Sequence, residues 1–138
     1  MATMLTWPQT PVPASHAPRM GRELQMFHIA HAFVQLTFEN ATDCDVHMEI
    51  SDTPDKAAPR VIVETPIEAE YCSSRQAFQS ALAAHGLQLG VLFQTGELPE
   101  AVPVDVRGLA FQDEPHAGRG SAMVQSIWEI HPAIVTVQ

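Results

Sequence analysis

Apolar and polar residues alternate along much of this chain, and a period of two predicts a protein built mainly of strands. The clearest alternation covers residues 44–51, where apolar side chains at 46, 48 and 50 share one face and polar ones at 45, 47 and 49 share the other. Alternating or β-branched runs predict further strands over residues 32–38, 60–64, 104–111 and 127–137. Pro132 interrupts the last run, which predicts a bulge or a sheet edge there.

A helix is predicted between the third and fourth strands, over residues 73–85. Ser73 and Gln76 have the spacing of a capping box, and Gly86 is the residue type that commonly ends a helix. Other segments are ambiguous or irregular. Residues 22–31 fit a helix or a strand, residues 87–93 fit an extra strand or a covering loop, and residues 96–103 are predicted to be a loop.

Three strands, one helix and two more strands in 138 residues suit a five-stranded OB-like barrel of order β-β-β-α-β-β. A β-sandwich with one helix is the alternative. Four prolines within the first 18 residues disfavour a helix there and predict extended backbone. The predicted organisation is therefore a Pro-rich extended N-terminal arm, residues 1–22, followed by an OB-like β-barrel domain, residues 23–138.

Acidic residues outnumber basic ones by 16 to 7, and the formal net charge is −9. Nucleic-acid binders gain most of their non-specific affinity from lysine and arginine, so this balance argues against a nucleic-acid partner. No run approaches the roughly 20 apolar residues of a membrane helix, so membrane insertion is not predicted. The first twenty residues hold no continuous apolar signal-peptide core, which predicts a cytoplasmic protein.

The two cysteines, Cys44 and Cys72, are too few for a disulfide scaffold and too few alone for a structural zinc site. Two free thiols in a reducing compartment are expected. The sequence leaves open whether the two cysteines pair.

Histidines and carboxylates stand in or beside the predicted strands, where the apolar pattern gives no reason for them. The candidate metal ligands are His47, Glu64, His116, Glu129 and His131. The candidate catalytic acid–base residues are Asp45, His47, Glu64, Glu129 and His131. Imidazole and carboxylate are usual ligands of divalent first-row metals, so zinc or manganese is the cofactor that the sequence suggests. A barrel that joins the second, third and fifth strands would bring these side chains together.

The same residues also have a purely structural interpretation. Alternation places polar side chains on the solvent-facing side of a strand, and buried ones can be satisfied by hydrogen bonds that close the barrel. The sequence leaves both interpretations open, and with them the question whether the protein is an enzyme.

Taken in order, several short motifs resemble a family of small, largely uncharacterised bacterial β-rich domains. They are Asp45-Val46-His47, Glu64-Thr65-Pro66, Cys72, Phe111-Gln112-Asp113-Glu114-Pro115-His116 and Glu129-Ile130-His131-Pro132, within residues 30–137. The resemblance implies an OB-like fold and no established activity. Many such domains look secreted, which makes secretion the alternative to a cytoplasmic location. In this family a glycine is expected between two aspartates, and this chain has Cys44 at that position.

A fainter similarity is to staphylococcal-nuclease-type OB barrels, which implies phosphodiester chemistry. The matching residues are Asp43, Asp45, Arg60, Glu64, Thr65, Pro66 and, more loosely, Arg107. Two features depart from that pattern: Arg60 is one residue too close to Glu64, and Ile67 stands where that family has glutamate. Few basic residues are present to hold a polyanion.

Three functions are compatible with these observations. The first is a non-enzymatic binding or structural subunit, whose arm, residues 1–18, packs on a protein partner or on another copy of the chain, as Pro-rich extended segments can. The alternative is a metal-dependent hydrolase, phosphodiesterase-like or nuclease-like, that uses the His/Glu cluster. The third is an OB-type pocket for a sugar or a short oligonucleotide, which rests on analogy of fold alone.

Overall fold

The structure is a computed structural model that describes residues 1–9, 11, 18–39, 45–87, 96–114 and 120–138, except for the side chain of Ala2. Within these residues the elements are α1 Ala2–Leu5, β1 Met26–Glu39, β2 Val46–Ser51, β3 Val61–Thr65, α2 Cys72–Ala84, β4 Glu97–Gln112 and β5 Trp128–Val137. Short 3₁₀ turns at Gly21–Leu24 and Ala69–Tyr71 lead into β1 and α2.

The five strands close into a barrel in the order β1-β2-β3-β5-β4. Neighbouring strands are antiparallel except for β3 and β5, which pair in parallel at Val63 and Ile130. The prediction of a five-stranded OB-like barrel with one helix between its third and fourth strands is confirmed. Because the strands close on themselves, the β-sandwich alternative is wrong.

Alternate residues of each strand point into the barrel and form its core. The inward residues of β2 and β3 show the pattern: Val46, Met48, Ile50, Val61 and Val63 are all at most 2% exposed. From α2, Phe78 and Leu82 join the same core. Each such side chain stabilises the fold by about 1.5–3 kcal/mol relative to an exposed one. The polar residues between them are left on the outer face of the barrel.

β4 begins at Glu97, so the prediction of a loop over residues 96–103 is wrong. The reason is the length of β1, which extends far enough for Thr37 N to donate a hydrogen bond to the Gly96 carbonyl at 2.9 Å. The register between β1 and β4 shifts between Val34 and Leu36, and Pro99 of β4 falls within the shifted stretch, where it interrupts no regular pairing. The ambiguous residues 22–31 divide into most of a 3₁₀ turn and the first part of β1.

Of the bulge or sheet edge predicted at Pro132, the structure has the bulge. Two residues of β5, His131 and Pro132, lie opposite the single residue Leu109 of β4. A bulge changes the direction in which neighbouring side chains point, and this one lies at a candidate site residue.

α2 begins one residue earlier than predicted, and the capping box of Ser73 and Gln76 does not form. Tyr71 precedes the helix and makes no side-chain capping bond, because the 3₁₀ turn Ala69–Tyr71 runs directly into α2. Gly86 follows the helix as predicted. Its φ of +71° is in the left-handed region, which glycine adopts at little cost.

The first residues pack on the barrel of their own chain. Residues 2–5 form one helical turn, so the prediction of extended backbone is wrong there, because the first proline comes only later. Met4 is 1% exposed and belongs to the core. Trp7 packs edge-on against Phe27 and Trp128, with ring centroids 5.6 and 5.0 Å apart. The domain boundary at residue 22 stays a prediction.

Among the described residues, no helix has the length and apolar character needed to cross a bilayer. Cys72 carries a free, half-buried thiol. The predictions for Asp43, Cys44, His116 and residues 88–93 concern positions outside the described residues.

Candidate metal centre

The candidate residues lie on the outer face of the barrel, where β2, β3 and β5 are neighbours. His47 of β2 is the direct cross-strand partner of Glu64 on β3. The parallel pairing of Val63 with Ile130 then places the next outward residue of β3 beside the outward residues of β5. His131 is one of these, so two histidines flank one carboxylate.

Glu64 is the centre of this group. His47 Nδ1 lies 3.0 Å from Glu64 Oε1, and His131 Nδ1 lies 2.9 Å from Glu64 Oε2. An ionised carboxylate only accepts hydrogen bonds, so each Nδ1 carries the hydrogen. In the neutral form of each ring, Nε2 therefore holds a lone pair that is available to a proton or a metal ion.

The two histidines hold Glu64 in its ionised form. Burial alone raises the pKa of this carboxyl, but hydrogen bonds from His131 and His47, together with their charges, lower the pKa from its ordinary 4.5 to about 2. The site thus keeps a negative charge at its centre throughout the physiological pH range.

Aromatic rings support the histidines from the two neighbouring strands. Phe38 of β1 stacks on His47, with ring centroids 4.5 Å apart and planes 19° apart. Phe111 of β4 lies against His131 at 5.7 Å, tilted by 45°. The five strands of the barrel therefore contribute one outward row of side chains in the order Phe38, His47, Glu64, His131 and Phe111. Packing on both sides restricts the rotation of the imidazole rings.

Two further carboxylates border this row. Asp45 Oδ2 lies 3.9 Å from His131 Nε2, and Asp45 Oδ1 accepts a hydrogen bond from Ile67 N at 2.9 Å, which orients the carboxylate. Glu129 Oε1 lies 3.7 Å from His131 Nδ1. Asp45, Glu64 and His131 each offer one ligand atom, and these three atoms lie within 4.8 Å of one another.

Solvent access divides the group. The side chain of His131 is 27% exposed and that of Glu64 is 16% exposed, whereas the side chain of His47 is 4% exposed. His47 Nε2 is buried and has no hydrogen-bond partner. A ligand from solvent reaches His131 before it reaches His47. His47 therefore lies on the buried side of the site, where it supports Glu64.

The barrel brings five of the predicted candidates together: Asp45, His47, Glu64, Glu129 and His131. His116, the remaining candidate ligand, lies outside the described residues. The convergence was expected from the strand order of an OB-like barrel. The chemical roles of these residues stay predictions.

A second buried polar group was not predicted from the sequence. Arg60 is 3% exposed and donates to Glu49, which is fully buried, at 3.1 Å, and to both oxygens of Glu97 at 2.9 Å. Ser121 donates to Glu49 through its backbone N and its Oγ, each at 2.5 Å. The network ties the segment before β5 to β2, to β4 and to the residue that precedes β3. Glu49 continues the outward polar face of β2, so the local pattern could not show that it is buried.

This network determines what Arg60 can do. Burial lowers the pKa of its guanidinium, but hydrogen bonds to Glu97 and Glu49 outweigh this and raise the pKa above its ordinary value. Both of its Nη atoms are bound to protein acceptors. Arg60 therefore serves the structure of the barrel, and the nuclease-type similarity gains no support from its position.

No family model, curated protein or solved structure matches this chain.

Proposed function

We propose that this protein is a metal-dependent hydrolase that holds one divalent first-row ion, zinc or manganese, at Asp45 and His131, with Glu64 as the carboxylate that orients His131. The observation that carries the proposal is the convergence of these three side chains, whose ligand atoms lie within 4.8 Å of one another. Two ligands that each lie about 2.1 Å from a tetrahedral zinc ion are about 3.4 Å apart. His131 Nε2 and Asp45 Oδ2, which are 3.9 Å apart, therefore need to close by only about 0.5 Å, within the range of side-chain adjustment.

His131 and Asp45 supply the best-placed pair of ligand atoms. The 3.9 Å between His131 Nε2 and Asp45 Oδ2 is within the span of about 4.2 Å that two ligands of one ion can bridge. His131 donates its other ring hydrogen to Glu64, and a carboxylate in this position is a usual companion of a metal-binding histidine. Glu64 thus orients the ring from the side opposite to Nε2.

His47 acts on the ion through Glu64. It holds Oε1 of that carboxylate, which leaves Oε2 for the side of His131. Because its side chain is 4% exposed and stacks on Phe38, it is a positioning residue and not a ligand.

With Asp45 and His131 as its protein ligands, the ion would keep coordination positions for water, which hydrolytic metal sites need. Such an ion would lower the pKa of a bound water towards 7 and so supply a nucleophile. Glu129, whose Oε1 lies 3.7 Å from His131 Nδ1, is the candidate to accept the proton. The acidic surroundings and the net charge of −9 favour a neutral or cationic substrate over a phosphodiester.

The test is elemental analysis of the untagged protein after incubation with Zn²⁺ or Mn²⁺ and dialysis. About one ion per chain is expected in the wild type, with loss of the ion in His131→Ala and Asp45→Asn. His28→Ala, which removes an exposed histidine of β1, is the matched control and should retain the ion. A wild type without metal, or full retention in both site variants, contradicts the proposal.

The hydrolytic part needs its own measurement. Hydrolysis of p-nitrophenyl acetate should require the ion and be lost after chelation, and bis(p-nitrophenyl) phosphate should react more slowly. Equal activity with and without metal would mean that the protein binds metal but is not a metal-dependent hydrolase.

A role as an assembly subunit is a second candidate, and one observation favours it. Met20, Leu24 and Met26 are 67%, 66% and 71% exposed and are close in sequence. Single exposed apolar residues are common, but a group of them is typical of an interface. If this stretch forms an interface, light scattering should show an oligomer that dissociates when all three are changed to serine. A monomeric wild type would dismiss this candidate.

A further inference from the structure

A cavity of about 530 Å³ lies against the end of the barrel, bordered by Pro8, Pro11 and the 3₁₀ turn Gly21–Leu24. Its walls are mostly apolar and include Pro8, Pro11, Met20 and Trp128. The volume is within the range of small-molecule sites in proteins. The cavity lies outside the candidate metal centre and shares none of the five residues of its central row.

One acidic side chain, Glu23, lines this apolar cavity and is 92% buried, with 8% of its surface exposed. It accepts two backbone hydrogen bonds, from Met20 N at 3.2 Å and from Gln112 N at 3.4 Å. The second is longer than an ordinary N–H···O bond, and a carboxylate has about four acceptor positions. The bonds fasten the 3₁₀ turn to β4, but they leave the negative charge without a counter-charge.

The neighbouring cations contact groups other than Glu23. Arg22 also lines the cavity, but its guanidinium lies over the ring of Trp7 at 4.8 Å. The guanidinium of Arg19 lies over Phe111 at 5.1 Å and donates to the Ala110 carbonyl. No ion pair joins Glu23 to a basic group within the described part of the chain. A buried carboxylate is costly unless a positive partner is present, so this arrangement points to a partner that comes from outside.

We propose that this cavity binds a small organic cation, an ammonium group on an apolar body, with the ammonium at Glu23 and the apolar body against Trp128 and the proline walls. The indole of Trp128 is held by a hydrogen bond from Nε1 to the Pro8 carbonyl at 3.2 Å. A fixed aromatic surface beside a carboxylate suits such a ligand, because the ring attracts the cation as well as its apolar part.

The probe is protonated 2-phenylethylamine, with 2-phenylethanol as its neutral counterpart of similar shape. The chain has two tryptophans, Trp7 and Trp128, and both contact this region, so intrinsic fluorescence and the indole N–H signals in an NMR spectrum report binding. The wild type should bind the amine about tenfold more tightly than the alcohol.

Glu23→Gln keeps an acceptor for the backbone bonds and should reduce that preference to about threefold or less. Glu100→Gln removes the same charge from an exposed position of β4 and should leave the preference unchanged. Equal binding of amine and alcohol by the wild type, an unchanged preference in Glu23→Gln, or no saturable signal in either readout overturns the proposal. The comparison of the two probes on the wild type stands even if Glu23→Gln does not fold.

Discussion

His131 donates its Nδ1 hydrogen to Glu64 Oε2 at 2.9 Å, across 67 positions of the sequence. The other oxygen of the same carboxylate accepts from His47 at 3.0 Å. One side chain of β3 thus sets the orientation of two imidazoles on two neighbouring strands. A change at Glu64 should therefore affect both histidines, and with them every function that the group can have.

Acid should destabilise the protein through Glu64. Its folded-state pKa of about 2 is below the ordinary 4.5, so the stabilisation is complete above pH 4.5 and is lost as the pH falls towards 2. The size of this contribution is at most about 3 kcal/mol. Urea unfolding at pH 7, 4.5 and 3 should show a pH-dependent loss that is smaller in Glu64→Gln. If the two proteins lose stability in parallel, the carboxylate is not the group responsible.

Replacing His47 should weaken metal binding although the residue is not a ligand. His47→Ala frees Glu64 Oε1, and loss of such a supporting group typically reduces metal affinity by about 10–100-fold. Competition with a chelating dye measures this, with His28→Ala as the control that should bind like the wild type. Complete loss of binding in His47→Ala, equal to that in His131→Ala, would instead make His47 a ligand.

The free energy of unfolding should depend more on the buried ion pair of Glu49 and Arg60 than on the exposed ion pair of Lys56 and Glu97. Arg60→Met leaves Glu49 buried without its cation and should lower the free energy of unfolding by about 3–5 kcal/mol. Lys56→Met removes a partner of Glu97 whose side chain is 40% exposed, and should change it by about 1 kcal/mol or less. Chemical denaturation distinguishes the two.

A double variant separates the pair from its surroundings. Glu49→Leu combined with Arg60→Met should lose less stability than the sum of the single changes, because neither charge is then left unpaired. Strict additivity would show that the two side chains do not depend on each other.

Met4 should contribute to the core although it is near the start of the chain. Met4→Ala empties a site that is 1% exposed and should reduce the free energy of unfolding by about 2 kcal/mol or more. Met20→Ala makes the same chemical change at a side chain that is 67% exposed, where about 0.5 kcal/mol or less is expected. Thermal unfolding of both variants checks this. Similar melting temperatures would mean that residues 2–5 do not pack as part of the core.

Local patterns predicted those features that depend on neighbouring residues. The alternation of β2 identified its inward and outward faces, Pro132 marked the bulge of β5, and Gly86 marked the end of α2. The predictions failed where a distant segment decides the outcome. β4 begins at Glu97 because β1 is long enough to pair with it, and no feature of residues 96–103 indicates that partner.

The sequence by itself determined that Asp45 and His47 share one face of a strand and that Glu129 and His131 share another, because side-chain direction in a strand is a local property with a period of two. Only the tertiary structure decided that Glu64 lies between them, since this depends on the parallel pairing of β3 with β5. The tertiary structure also decides burial. Polar positions on the same face of one strand belong to a buried network or to a solvent-accessible site, depending on which segment covers them.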